Sequence, residues 1–158
     1  MSPEHDQILV VDFGSQVTQL IARRIRELSV YCEIHPFNSI DASFLERFKP
    51  KGIILSGGPA SVHGAEAPAA HDSIFGLNVP ILGICYGEQT LVQQLGGDVQ
   101  ASDHREFGRA FVEIKKSCSL FENLWTPGNQ YEVWMSHGDR VNTIPTGFDV
   151  VGVSDGSP

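Results

Sequence analysis

Ile8-Leu9-Val10-Val11 is an unbroken apolar run between a polar N-terminal stretch and the turn Asp12-Phe13-Gly14-Ser15. A run this short, rich in β-branched residues, predicts a strand buried on both faces. Beyond the turn the period becomes helical. Val17, Leu20, Ile21, Ile25 and Leu28 predict an amphipathic helix, with Ser15 as its N-cap and Arg23, Arg24 and Arg26 on or near the exposed side. Val30 to His35 predicts a second strand, and Gly52-Ile53-Ile54-Leu55 a third that ends in Ser56-Gly57-Gly58-Pro59. A loop rich in Ala, Pro and His leads to a predicted helix over Glu66 to Gly76. Val79 to Ile84 reads as a fourth strand, and Tyr86 to Leu95 as a helix stopped by Gly96-Gly97.

Strand and helix in this alternation imply an α/β fold, with a mostly parallel sheet covered by helices on both faces. After about residue 98 the rhythm changes. Val99 to Ala101, Phe107 to Lys115, Tyr131 to Ser136 and Phe148 to Val153 read as strands with little helix between them, so this half is expected to be antiparallel or mixed. No linker or internal repeat interrupts the chain, and its length fits one domain.

Composition narrows the classes of function. The formal charge is −8 over 158 residues, and the acidity is spread along the chain. That balance argues against binding a nucleic-acid backbone or an anionic membrane surface. No stretch approaches the roughly 18 apolar residues of a membrane-spanning helix. The start, Met1-Ser2-Pro3-Glu4-His5-Asp6-Gln7, lacks the basic and apolar parts of a signal peptide. Three widely spaced cysteines, at positions 32, 85 and 118, do not make a disulfide framework. The expected setting is the cytoplasm, with reduced thiols.

In open α/β sheets ligands bind beyond the carboxyl ends of the strands. Three turns then become interesting together: Asp12 to Gln16, Ser56 to Ala60, and Gly83 to Gln89. The third contains Gly83-Ile84-Cys85-Tyr86-Gly87, which has the form of a nucleophile elbow with Cys in place of Ser. Such a turn needs small residues two before and two after the nucleophile, so that the backbones can pass. The helix beginning at Tyr86 would point free N–H groups at the sulfur and favour thiolate. The Tyr86 amide is also placed to donate to an oxyanion. The alternative reading of Cys85 is a buried structural thiol at a strand end, and the pentapeptide with its context favours the nucleophile. Cys32 fits strand packing, and Cys118 an incidental turn position.

Ser56-Gly57-Gly58-Pro59 admits three readings: a simple tight turn, a phosphate loop, or a second donor to the oxyanion. The phosphate-loop patterns are absent. Of six histidines, His5, His63 and His71 read as solvated, and His35 and His104 have no distinguishing setting. Only His137, in Trp134-Met135-Ser136-His137-Gly138-Asp139, sits where a ligand turn is expected. None has the flanking carboxylate of a catalytic base, and no cluster has zinc spacing.

As a set these motifs resemble the class I glutamine amidotransferases, over Ile8 to at least Val153. The specific parts are Ile8 to Gln16, Leu55 to Pro59, Gly83 to Gly87, Glu106-Phe107-Gly108 and Val133 to Asp139. The Asp-Phe-Gly-Ser-Gln start and the Trp-Met-Ser-His-Gly-Asp segment are most similar to the branch that serves GMP synthesis. The resemblance implies a flavodoxin-like, doubly wound sheet. It implies that Cys85 attacks the side-chain amide of glutamine, that the Gly58 and Tyr86 amides form the oxyanion hole, and that Gln89 and the Ser136-His137-Gly138-Asp139 turn hold the substrate's α-groups. His137 is then a substrate residue and not the base.

The resemblance also implies no cofactor or metal for the glutaminase step. ATP and Mg2+ would serve an ATP-pyrophosphatase domain of the same enzyme, where ammonia aminates XMP to GMP, and the full-length enzyme would be a homodimer. Two departures follow. The family's base and its carboxylate lie in a His-Pro-Glu segment, and this chain ends at Ser154-Asp155-Gly156-Ser157-Pro158 without it. Residues 1–158 are accordingly expected to form an incomplete amidotransferase domain, nearly inactive alone. The alternative is a glutamine-binding or partner-docking module without turnover. The second departure is Glu88, beside the elbow, where the family more often has Met.

Overall fold

A computed structural model describes residues 6–157, with side chains outside 102–106. The expectations for His5, His104 and the Glu106 side chain lie outside the described set. The chain divides into two compact units, residues 1–94 and 95–158. The boundary falls where the strand–helix rhythm stops.

In the first unit, β1 (Gln7–Asp12), β2 (Tyr31–Pro36), β3 (Gly52–Leu55) and β4 (Ile81–Gly83) form a parallel sheet of order β2-β1-β3-β4. Val10 pairs in register with Ile34 on one side and Ile54 on the other. Successive side chains of a strand point to opposite faces, and both faces here are apolar. Leu9, Val11, Ile53 and Leu55 join one cluster with Leu45, Ile74, Tyr86 and Leu91. Val10 and Cys32 join the other with Ala22, backed by Ile8, Ile21, Ile25, Ile34 and Ile54. Helix α1 (Thr18–Glu27) therefore covers one face, while α2 (Ala42–Phe48) and α3 (Tyr86–Gln94) cover the other. This is the doubly wound α/β arrangement expected from the sequence.

Two local expectations are corrected, and one element is new. The N-cap position of α1 is Val17, with no side-chain cap, and Ser15 Oγ instead accepts from the Val17 amide at 3.1 Å. The predicted helix over Glu66 to Gly76 is reduced to a single 3₁₀ turn, Asp72–Ile74. Pro68 lacks an amide donor and disfavours the α region for Ala67, which removes the first half of that helix. Conversely, α2 has no counterpart in the sequence reading. At seven residues it is too short for a periodic signal, but Asp41 caps it by accepting from the Phe44 amide at 2.7 Å.

In the second unit, β5 (Asp98–Ile114), β6 (Gln130–Thr143) and β7 (Gly152–Val153) form an antiparallel sheet of order β6-β5-β7. The two strands expected at 99–101 and 107–115 are one long strand, with a register shift between Ala101 and Glu106. Only Gly152–Val153 of the expected strand over Phe148 to Val153 pairs, against Ile114 and Glu113.

Candidate active site

The sheet order places β1 and β3 side by side, although β2 intervenes in sequence. A ligand crevice in this architecture lies at that reversal, beyond the carboxyl ends of the strands. The turns after β1, β3 and β4 meet there. A Cβ placed on Gly57 would lie 3.4 Å from Ser15 Oγ and 3.7 Å from Cys85 Cβ. The three turns singled out in the sequence are thus one structural cluster.

Cys85 occupies the left-handed region at φ +54 and is exposed, between the end of β4 and the start of α3. A side chain is rarely held there unless the surroundings impose it. What imposes it is close backbone passage. A Cβ on Gly83 would stand 2.6 Å from Glu88 Cα, and one on Gly87 would stand 2.7 Å from the Ser56 carbonyl oxygen and nearer still to that of Leu55. The Ile84 amide bonds to the Leu55 carbonyl at 2.9 Å, fastening the elbow to β3. The helix then starts at once, with the Glu88 and Gln89 amides donating to the Cys85 carbonyl at 3.0 and 3.1 Å.

Tyr86 fixes the other side of the turn. Its ring is 1 % exposed, packs at 5.4 Å on Phe13, and its hydroxyl donates to the Pro68 carbonyl. Burial pushes the Tyr86 phenol upward, so it stays a neutral donor at neutral pH. Among the described residues, neither the amide of Tyr86 nor that of Gly58 has an acceptor. Gly58 itself is pressed on Phe13, since a Cβ there would meet the Phe13 carbonyl oxygen at 2.8 Å. Two unused amide donors therefore lie in the turns that flank an exposed sulfur.

A polar network behind these turns joins β1 to β3. Asp12 Oδ1 accepts from the Gly14 amide at 2.8 Å and from Thr18 Oγ1 at 3.0 Å. Thr18 Oγ1 lies 3.1 Å from Ser56 Oγ, which accepts from the Phe13 amide at 3.4 Å and lies 3.1 Å from the Gly57 carbonyl oxygen. Ser56 is 0 % exposed and Thr18 2 %. Sequence reading missed both side chains. They are 38 residues apart, and only the pairing of β1 with β3 brings them together.

Gln89 is nearly buried on α3, four positions beyond Cys85, and Glu88 is exposed. Ser136, His137, Gly138 and Asp139 belong to the second unit, and there the expectation of a turn is corrected. They run within β6, where Ser136 pairs with Phe107 and His137 with Glu106. Asp139 pairs with Ala101 on the far side of the register shift. His137 Nδ1 lies 3.0 Å from the Asp139 carbonyl oxygen.

Cys32 is 2 % exposed, with its thiol 3.5 Å from the Ala22 carbonyl, as expected of a packing residue. One histidine–carboxylate pair escaped the sequence reading: His35 Nε2 is 2.8 Å from Glu33 Oε2. Hydrogen bonds from Tyr31 first, and from His35 second, hold the Glu33 carboxyl below its ordinary value. The pair sits on β2, three strand spacings or about 14 Å from β4, too far to serve Cys85 directly. Among the described residues no cluster of His, Cys, Asp and Glu could hold a metal ion, and no helix is long and apolar enough to cross a membrane.

The sequence model of the glutamine amidotransferase class-I family matches residues 9–158. A GMP synthase [glutamine-hydrolyzing] of Nitrobacter hamburgensis is 64 % identical over 98 % of this chain, and one of Rhodopseudomonas palustris is 62 % identical over 98 %. The chain spans 28 % of the length of each of those relatives. Among solved structures, a candidate GMP synthase subunit from Thermoplasma acidophilum superposes with a TM-score of 0.75 at 31 % identity, covering 98 % of this chain and 75 % of that one.

Proposed function

This chain belongs to the glutamine amidotransferase class-I family, and from that premise we propose that it hydrolyses glutamine to glutamate and ammonia through a thioester on Cys85. The observation that carries the reading is an exposed cysteine held at φ +54, between two turns whose Gly58 and Tyr86 amides have no acceptor among the described residues. Attack of the Cys85 sulfur on the side-chain amide carbon moves the carbonyl electrons onto oxygen. The two amides stabilise that oxyanion, an effect whose loss costs about 10²–10³ in rate per donor. Collapse breaks the C–N bond, ammonia leaves with one added proton, and water then hydrolyses the thioester. Gln89 and the Ser136 to Asp139 segment are assigned to the α-amino and α-carboxylate groups of the substrate.

The wider setting is part of the same proposal. Residues 1–158 are read as an amidotransferase domain, and the base and its carboxylate belong to a His-Pro-Glu segment that this sequence does not contain. The Nitrobacter and Rhodopseudomonas relatives are named for GMP synthesis and glutamine hydrolysis. Delivery of the ammonia to an ATP-pyrophosphatase domain, which would use ATP and Mg2+ to aminate XMP, is the further part of the proposal. A cytoplasmic homodimer is the expected form of the complete enzyme.

The test is intact mass and peptide mapping after exposure to 6-diazo-5-oxo-norleucine. The diazo carbon takes a proton, the Cys85 thiolate displaces N2, and a stable thioether remains. A single adduct on Cys85, suppressed by excess glutamine and absent in Cys85→Ala, is the expected result. An adduct on Cys32 or Cys118, or one that glutamine leaves unchanged, overturns the assignment. Glutamine-suppressed labelling without ammonia release favours a binding module.

A further inference from the structure

We propose that Ser56 and Thr18 are positioning residues that set the orientation of the Gly58 amide relative to Cys85. The inference rests on the thioester reading above and assigns roles to two buried side chains. Ser56 is the last residue before Gly57-Gly58, and its hydroxyl is fully buried. It meets the Phe13 amide, Thr18 Oγ1 and the Gly57 carbonyl at 3.4, 3.1 and 3.1 Å. Thr18, in the first turn of α1, lies between Ser56 and Asp12, and Asp12 in turn fixes the Gly14 amide.

A glycine pair has little torsional preference of its own, so its peptide planes must be set from outside. Ser56 does this on the Gly57 carbonyl. The close approach of Gly58 to the Phe13 carbonyl holds the next residue, and Phe13 is itself tied to Ser56 through its amide. Thr18 Oγ1 has one proton and two acceptors in reach, Asp12 and Ser56. It gives that proton to the Asp12 carboxylate, which can only accept, so the Ser56 hydroxyl keeps its own proton for the Gly57 carbonyl or for Thr18 Oγ1. Donation to the Gly57 carbonyl orders the turn. An oxyanion donor works only when aimed at the position where charge develops, and a misplacement of about 1 Å costs on the order of a hundredfold.

The experiment measures saturation kinetics of Cys85 alkylation by 6-diazo-5-oxo-norleucine. The alkylation is taken through addition of the thiolate to the ketone carbon, which puts the oxyanion between the two amides. Sulfur then shifts to the protonated diazo carbon, N2 leaves and the ketone re-forms. Binding (KI) and chemistry (kinact) are separated for the wild-type chain, Ser56→Ala, Thr18→Val and Thr18→Ser. The expected result is a loss of about tenfold in kinact for Ser56→Ala and Thr18→Val, with KI within about twofold and recovery in Thr18→Ser. Thermal melts accompany each variant. If Ser56→Ala fails to fold, the Thr18→Val and Thr18→Ser pair decides. Unchanged kinact in folded variants overturns the positioning role and leaves the thioester reading standing. A parallel rise in KI with unchanged kinact, or equal loss in Thr18→Ser and Thr18→Val, assigns these hydroxyls to packing and likewise overturns it. Absence of glutamine-protected labelling both in the folded wild-type chain and in a protein that also carries the His-Pro-Glu segment overturns the thioester reading and this inference with it.

Discussion

At the scale of single residues, the elbow is specified by what is missing from two positions. Gly87 lies where any Cβ would run into the Leu55 and Ser56 carbonyls, which are backbone and cannot rotate away. Gly87→Ala is expected to cost about 3 kcal/mol, read as a shift of the urea midpoint at constant m-value. Gly76→Ala is the control, since its nearest atom would be 3.7 Å away, and it is expected to stay within about 1 kcal/mol of wild type. Similar losses at both positions would show that the close passage is not what restricts Gly87. The glycines at 83 and 87 were legible in the sequence because their spacing about Cys85 has a steric meaning. The Thr18–Ser56 bond was not, because a hydroxyl at the end of a strand carries no local signal of a partner 38 residues away.

At the scale of elements, short parallel strands were the easiest to see. Residues 8–11 and 52–55 are continuous apolar runs because the sheet is buried on both sides. Helix α2 shows the limit of that reasoning, since seven residues give less than two full periods and its only strong mark is the cap. The Phe44 amide, and next the Ser43 hydroxyl, hold the Asp41 carboxyl below its ordinary value. A carboxyl depressed by folding stabilises the native state above its unfolded pKa, and that contribution disappears as pH falls through the lower folded value. Asp41→Asn is therefore expected to melt below wild type at neutral pH, with the gap closing as the buffer is taken below about pH 4. A gap constant across that range would mean that the charge plays no part. The segment 136–139 failed in the opposite sense. Gly and Asp beside His suggested a turn, but the segment runs within β6, with His137 and Asp139 paired to β5 on either side of a register shift.

For the whole molecule, the second sheet has one face that the alternation of residues leaves open. Phe107, Phe111 and Trp134 are 65, 48 and 79 % exposed, and register places Trp134 opposite Arg109. Arg109 bridges Glu132 at 3.0 Å and lies 5.3 Å from the Phe111 ring centre. Trp125, by contrast, stacks on Tyr131 at 5.2 Å and leans on Phe121 at 5.0 Å. Acrylamide is expected to quench Trp134 far more readily than Trp125, so that Trp134→Phe removes most of the easily quenched emission. Equal quenching in Trp134→Phe and wild type would place that indole out of water.

The boundary at Gln94 has a consequence for biosynthesis. Every strand of the parallel sheet, the elbow, the Ser56 turn and the Asp12–Thr18 bond are encoded before residue 95. Domains emerging from a ribosome fold from the N-terminus at the pace of translation. The strained geometry of Cys85 is thus ready to form on the nascent chain while the antiparallel sheet is still being synthesised, and a pause in translation after that boundary would favour it.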